Sequence, residues 1–217
     1  SNHKPYTYPA GRIAENPNER RRENAVKYTD YSLGRFFDAA KREPFWTNTI
    51  FVVIADHGAR VYGSQSIPMH SYEIPLVVLG PGVVNRPARI PALGCSLDVA
   101  PTILGLIGRP YDSVFFGRDL LQNRPEQERV LLQHNRDIGL YSQDRLLVLG
   151  LRQTEERYVG NPKSTEPRLV NTNSAMEEEL ALDAIALFQV ADDLYVNQRY
   201  RVRSEEHTSE LQSLAYL

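Results

Sequence analysis

Ile50-Phe51-Val52-Val53-Ile54-Ala55-Asp56-His57-Gly58 decides how this chain reads. Six apolar residues, four of them β-branched, are followed at once by a carboxylate and an imidazole. A buried strand of this kind belongs to a parallel sheet with both faces covered, and open α/β proteins place their sites at the carboxyl ends of such strands. Asp56 and His57 are therefore candidate metal ligands. Neighbours in a regular strand face opposite ways, so both reach one ion only if the backbone turns, and Gly58 is expected to permit that turn through its conformational freedom. Two more histidines extend the candidate set: His3 in Ser1-Asn2-His3-Lys4-Pro5-Tyr6, and His70 in Pro68-Met69-His70-Ser71.

A chain of 217 residues holds one sizeable α/β domain or most of one. The net charge of -2 and the flanking of Arg20-Arg21-Arg22 by Glu19 and Glu23 leave no broad basic face, so no nucleic-acid partner is expected. The single cysteine, Cys95, excludes an intrachain disulfide and a Cys-x-x-Cys zinc pair. No apolar run approaches a membrane span, and the first residues lack a signal-peptide pattern. The chain opens inside what reads as a site loop, which leads us to expect an upstream part that includes any membrane anchor.

Pro5, Pro9, Gly11 and Pro17 make residues 1–18 an extended loop. Residues 19–42 read as a helix with Val26, Leu33, Phe37 and Ala40 on its apolar face, ended by Pro44. After a polar loop of Gly63, Ser64, Gln65 and Ser66, residues 74–79 form a second strand, stopped by Gly80-Pro81-Gly82. Residues 96–108 read as a buried helix with Ser96 as N-cap, Asp98 in the first turn and Gly108 as its stop. Three apolar runs, at 130–132, 138–141 and 146–149, predict an antiparallel meander at one edge of the main sheet. Residues 160–173 read as a polar loop. Helical spacing then returns from Ser174 to about Arg201, with Ser174 and Glu177 as a capping box. Residues 203–213 resemble the translation of a sequencing-library adapter. We therefore expect 1–201 to be the domain and 202–217 a non-native tail, which removes His207 from the candidates.

One carboxylate with neutral imidazoles suits manganese or zinc, with magnesium as the third choice. The order of motifs is more specific than any one of them. Asn2-His3-Lys4-Pro5-Tyr6, Tyr28-Thr29-Asp30-Tyr31-Ser32-Leu33, Ile54-Ala55-Asp56-His57-Gly58, Met69-His70-Ser71-Tyr72-Glu73-Ile74-Pro75-Leu76 and Ser96-Leu97-Asp98-Val99-Ala100-Pro101-Thr102-Ile103 follow one another as they do in a known group. Over roughly residues 1 to 200 the chain resembles the C-terminal part of the lipoteichoic-acid-synthase-like, sulfatase-type branch of the alkaline phosphatase superfamily.

That resemblance implies an α/β fold with a mostly parallel sheet flanked by helices and a small antiparallel C-terminal meander, present here as a fragment of the full domain. It implies that Asp56 and His57 bind the metal contacting the nucleophile. His3 resembles the histidine that binds the transferred phosphoryl group or a second metal, and His70 one that serves a second metal or the leaving group. The family's nucleophile, a threonine or serine, and its first acidic ligand lie upstream, so this stretch alone is expected to be inactive. The implied reaction moves a phosphoglycerol-type group from a lipid-linked donor through a covalent phospho-enzyme intermediate, outside the cytoplasm. A sulfatase or phosphodiesterase of the same fold is the second reading, and a catalytically inactive metal-binding domain the third.

The remaining polar and aromatic residues are expected to be structural. His134 is a strand-end histidine, Asp98 caps its helix, and Tyr28 and Tyr31 pack the long helix. Cys95 lacks the proline of a Cys-x-Pro-x-Arg motif, since Leu97 stands there, and reads as an inert thiol.

Overall fold

A computed structural model describes residues 3–59, 65–84, 86–122, 124–163, 166–171 and 174–201. The expected tail with His207, Ser1, Asn2, and Gly63 and Ser64 of the predicted polar loop lie outside the described residues. The chain divides into two compact units, Ser1–Val53 with Leu76–Pro87, and Ile54–Pro75 with Ala88–Leu217.

The first unit holds helix α1 (Arg22–Ala40), strand β1 (Phe51–Ile54) apart from its last residue, and its paired strand β2 (Leu76–Leu79). Aromatic rings close the helix onto the strand: Phe37 meets Phe51 edge-on at 5.6 Å between centroids, and Trp46 lies 5.1 Å from Phe51. The apolar face of α1 differs from the expected one near its start. Val26 is 55% exposed while Ala25 is fully buried, and Asn24 beside it is satisfied by Glu19 Oε2 at 3.0 Å. Successive helix residues point about 100° apart, so the small Ala25 displaces Val26 outward. Tyr28 stacks between Tyr8, at 5.6 Å, and Tyr31, at 6.2 Å, the packing role expected of it.

The second unit contains helix α2 (Val99–Ile107), five strands and helix α3 (Ala175–Val196). The strands are β3 (Val130–His134), β4 (Asp137–Ser142), β5 (Arg145–Leu149), β6 (Glu155–Val159) and β7 (Arg168–Leu169), antiparallel in sequence order. Gln143 and Asp144, both at positive φ, close the β4–β5 hairpin with the twist that right-handed strands favour. The register puts Leu131, Leu140 and Leu147 in one row across three strands, and Val130, Tyr141, Leu146 and Tyr158 in a neighbouring row. Because side chains alternate along a strand, the two rows face opposite ways. Leu140 and Leu147 pack on Ala184, Leu180 and Leu187 of α3. Tyr141, Leu146, Val148 and Tyr158 pack on Ile67 and Met69.

The α/β class holds. Among the described residues the sheet expected around β1 is represented by β1 and β2 alone, and the meander is larger than predicted, with five strands instead of three. β6 reads Glu155-Glu156-Arg157-Tyr158-Val159, whose charges hide its strand character. β7 lies within what the sequence presents as a polar loop, and it is only two residues long. Three helix ends follow expectation or sharpen it. Gly108 ends α2 in the left-handed region at φ 71°. Glu177 Oε2 accepts from the Ser174 N–H at 2.9 Å and hydroxyl at 3.0 Å, the expected capping box. Before α2, however, the cap is at Cys95 rather than Ser96, since Asp98 reaches back to the Cys95 N–H at 2.8 Å. No helix of the described residues is long and apolar enough to cross a membrane.

Candidate functional site

Asp56 and His57 follow β1 in an exposed turn, with side chains 86% and 63% accessible. The Asp56 carboxylate accepts the His57 backbone N–H at 2.9 Å, and its other oxygen lies 3.8 Å from His57 Nε2. On its far side the ring meets the Gly58 carbonyl, with Nδ1 at 2.9 Å. A carbonyl only accepts, so Nδ1 carries the proton in this contact, and in the neutral ring Nε2 presents its lone pair on the side of Asp56. Fixing the tautomer through a backbone carbonyl is how metal-binding histidines are commonly oriented.

Gly58 contributes differently from what its sequence position suggests. It is not among the residues at positive φ, so left-handed freedom is not what the turn uses. A Cβ built there would stand 2.2 Å from the Ser71 carbonyl oxygen and 3.1 Å from that of Glu73. The glycine allows the Asp56–Gly58 turn to lie directly on the backbone of residues 71–73. That close approach brings Asp56 and His57 to the 3-10 turn Met69–Tyr72, which carries the exposed His70. We expect Gly58→Ala to cost about 1–3 kcal/mol, the usual cost of overpacking. It should appear as a lowered urea midpoint at unchanged slope in the full-length protein; an unchanged midpoint would show that the two segments can part freely.

The turn bearing His70 is anchored in the meander core. Ile67 is fully buried and Met69 nearly so, both against Leu132, Leu146 and Val148. Gly139 leaves room for Ile67, since a Cβ there would lie 2.8 Å from Ile67 Cδ1. The preceding residues, expected as a polar loop, are held as firmly. Gln65 is buried and donates to the Pro167 carbonyl at 3.0 Å, and the Ser66 hydroxyl donates to Glu156 at 2.6 Å. Neither bond is legible in sequence, because the partners lie about ninety or more positions away.

His3 belongs to the other unit. There its carbonyl accepts the Tyr6 N–H at 2.7 Å, closing a turn whose Tyr6 hydroxyl accepts from Arg22 of α1 at 3.4 Å. Among the described residues no three His, Cys, Asp or Glu side chains are gathered to hold an ion. Asp56 and His57 stand together as two candidate ligands, without a third beside them among the described residues. Their donor types suit a zinc-like ion, while their 3.8 Å separation is wider than the roughly 3.3 Å between two ligands of a tetrahedral zinc.

Two of the residues read as structural stay so. Burial first, and Asp98 second, push the Cys95 thiol above its ordinary range, which suits an unreactive thiol. Asp98 is 2% exposed and fully bonded within its own neighbourhood. His134 is less isolated than expected, for its Nδ1 lies 2.9 Å from the Tyr72 hydroxyl, two residues from His70.

A family model described as Sulfatase matches residues 1–109. A sulfatase of Formosa agariphila is 35% identical over 88 residues, 38% of this chain and 17% of that protein. The lipoteichoic acid synthase-like YvgJ of Bacillus subtilis is 29% identical over 112 residues, 44% of this chain and 18% of its own length. Among solved structures, a protein in the alkaline phosphatase superfamily from Vibrio parahaemolyticus superposes with a TM-score of 0.80 at 33% identity, over 93% of this chain and 48% of that one. The chain thus corresponds to about half of that solved relative, and its matches cover under a fifth of the two curated ones.

Proposed function

Because the chain belongs to the sulfatase family, within the alkaline phosphatase superfamily, we propose that it is part of a metal-dependent enzyme that transfers a phosphoglycerol-type group from a lipid-linked donor. The observation that carries this reading is the Asp56–His57 turn. A carboxylate and an imidazole of fixed tautomer stand together at the end of β1, on a glycine that only a designed close approach explains. Asp56 and His57 would hold the divalent ion, manganese or zinc in preference to magnesium. When bound, that ion supplies Lewis acidity at a phosphoryl or sulfuryl oxygen and lowers the pKa of a hydroxyl nucleophile.

The chain's own residues do the holding and orienting. Gly58 O keeps the proton on His57 Nδ1, and the Met69–Tyr72 turn presents His70 beside the same backbone. On the family resemblance, His70 would serve the leaving group or a second ion, and His3 the transferred group or a second ion. Residues 1–201 are read as the C-terminal part of the catalytic domain and 202–217 as a non-native tail. The nucleophile, a threonine or serine, belongs to the upstream part. In the transfer its hydroxyl oxygen would give up its proton and bond to phosphorus while the bond from phosphorus to the lipid oxygen breaks and that oxygen leaves protonated as diacylglycerol. An acceptor hydroxyl would then lose its proton and bond to phosphorus as the enzyme–oxygen bond to phosphorus breaks and the nucleophile is reprotonated. The likeness to a lipoteichoic acid synthase-like protein supports a lipid-linked donor and an extracytoplasmic domain on a membrane-anchored protein. Likeness to a sulfatase supports the second reading, ester hydrolysis on the same site.

The test is turnover by the full-length protein with added Mn²⁺ or Zn²⁺. Release of diacylglycerol from phosphatidylglycerol vesicles, without cleavage of p-nitrophenyl sulfate, is the expected result. Sulfate ester cleavage alone would establish the hydrolase. Metal binding with no turnover of either substrate would leave a binding domain.

A further inference from the structure

His134 and Tyr72 have no part in the function just proposed, yet they meet at its border. The Tyr72 hydroxyl contacts two groups of β3: the Gln133 carbonyl and, at 2.9 Å, His134 Nδ1. A carbonyl only accepts, so the phenol proton goes to Gln133 O, and His134 Nδ1–H donates to the phenol oxygen. The two rings also stand edge-on, 6.2 Å between centroids. Tyr72 ends the same 3-10 turn that presents His70, and its ring rests on the core that buries Met69 at the turn's start. His70 is therefore exposed between two fixed neighbours. The turn's other side is the surface against which Gly58 lies, through the carbonyls of Ser71 and Glu73.

From these contacts we propose that Tyr72 and His134 are positioning residues. Their hydrogen bond locks the Met69–Tyr72 turn to the end of β3, and so fixes both the direction of the His70 imidazole and the seat of the Asp56–Gly58 turn. Tyr72 and His134 touch no reacting atom. They act through the turn, which joins the meander to the chemistry of the site. This assignment rests on the reading of His70 and the Asp56–His57 pair given above.

The test uses the full-length protein and three variants. Tyr72→Phe removes the phenol oxygen, His134→Leu removes the donor, and His134→Asn keeps an N–H where Nδ1 stands. Diacylglycerol release from phosphatidylglycerol vesicles gives kcat and KM, and NMR of ring-labelled histidine reads the His70 resonance in the protein as purified. We expect Tyr72→Phe and His134→Leu to lower kcat at least tenfold at nearly constant KM and to move the His70 resonance. His134→Asn should stay within about threefold of wild type, with the resonance in place. Wild-type kcat and an unmoved resonance in Tyr72→Phe and His134→Leu would overturn the proposal, as would a His134→Asn variant as impaired as His134→Leu. A wild-type protein that turns over no ester would instead refute the function on which the proposal stands, and would overturn both.

Discussion

Asp56→Asn in the full-length enzyme is expected to lower kcat/KM about a thousandfold, some 4 kcal/mol of transition-state stabilisation, while leaving the thermal midpoint within a degree or two of wild type. The two halves of that expectation have separate origins. The Asp56 side chain is 86% exposed, and its described contacts are to His57 alone: the backbone N–H at 2.9 Å and Nε2 at 3.8 Å. Exposed substitutions of this kind usually change stability by less than about 0.5 kcal/mol. An amide keeps the shape and one acceptor oxygen, so the turn survives. What it loses is the negative charge that a divalent ion would require of Asp56 in the proposed role, and metal content measured on the purified variant should fall in parallel with activity. A mutation that spares the fold and removes both metal and turnover distinguishes a site residue from a capping residue. Full metal occupancy and wild-type turnover in Asp56→Asn would sink the assignment of the pair. His57→Ala is the companion variant and should behave alike, because the ring's described partners are also local.

The ends of the elements near the site were legible because each is written in adjacent residues. The apolar run before Asp56 becomes β1, the small-residue turn at Gly108 stops α2, and Ser174 with Glu177 caps α3. Strands β3 to β5 were legible for the same reason, as apolar runs separated by turn residues. What could not be read depends on partners distant in sequence. β6 is a strand because β5 offers it a ladder and Tyr158 a place in the core, not because Glu155-Glu156-Arg157 has the composition of one. Gly58 signals a turn in sequence, whereas its requirement for a missing side chain comes from a backbone segment thirteen residues on. The same limit hid the link between Tyr72 and His134, 62 positions apart. Sequence named His70 and His134 separately and held no sign that one tyrosine joins their segments.

Asp98→Ala should be the most destabilising substitution in the second unit, by about 3–5 kcal/mol, the range for stripping one partner from a buried ionic group. Asp98 is 2% exposed, and each carboxylate oxygen already has a backbone donor: Cys95 N–H at 2.8 Å on one and Arg118 N–H at 2.7 Å on the other. Arg118 Nε adds its charge at 3.8 Å, and the same guanidinium donates to the Leu93 carbonyl at 2.9 Å and to that of Gln127. One turn along α2, the Thr102 hydroxyl donates to the Asp98 carbonyl at 2.6 Å and accepts the Leu120 N–H at 3.0 Å. The segment 117–120 is thereby laid against the start of α2, so closely that a Cβ on Gly117 would stand 1.9 Å from the Leu97 oxygen. Removing the carboxylate leaves two backbone donors without their acceptor in a place that water reaches poorly, each adding its own desolvation cost, and takes the counter-charge from a guanidinium that keeps its bonds to Leu93 and Gln127. Asp98→Asn separates charge from shape. It retains one acceptor but turns an NH₂ toward a backbone N–H, so it should lose roughly half as much. Urea denaturation of the full-length protein checks both, and an Asp98→Ala loss below about 1 kcal/mol would mean that segment 117–120 is held by packing and not by this carboxylate.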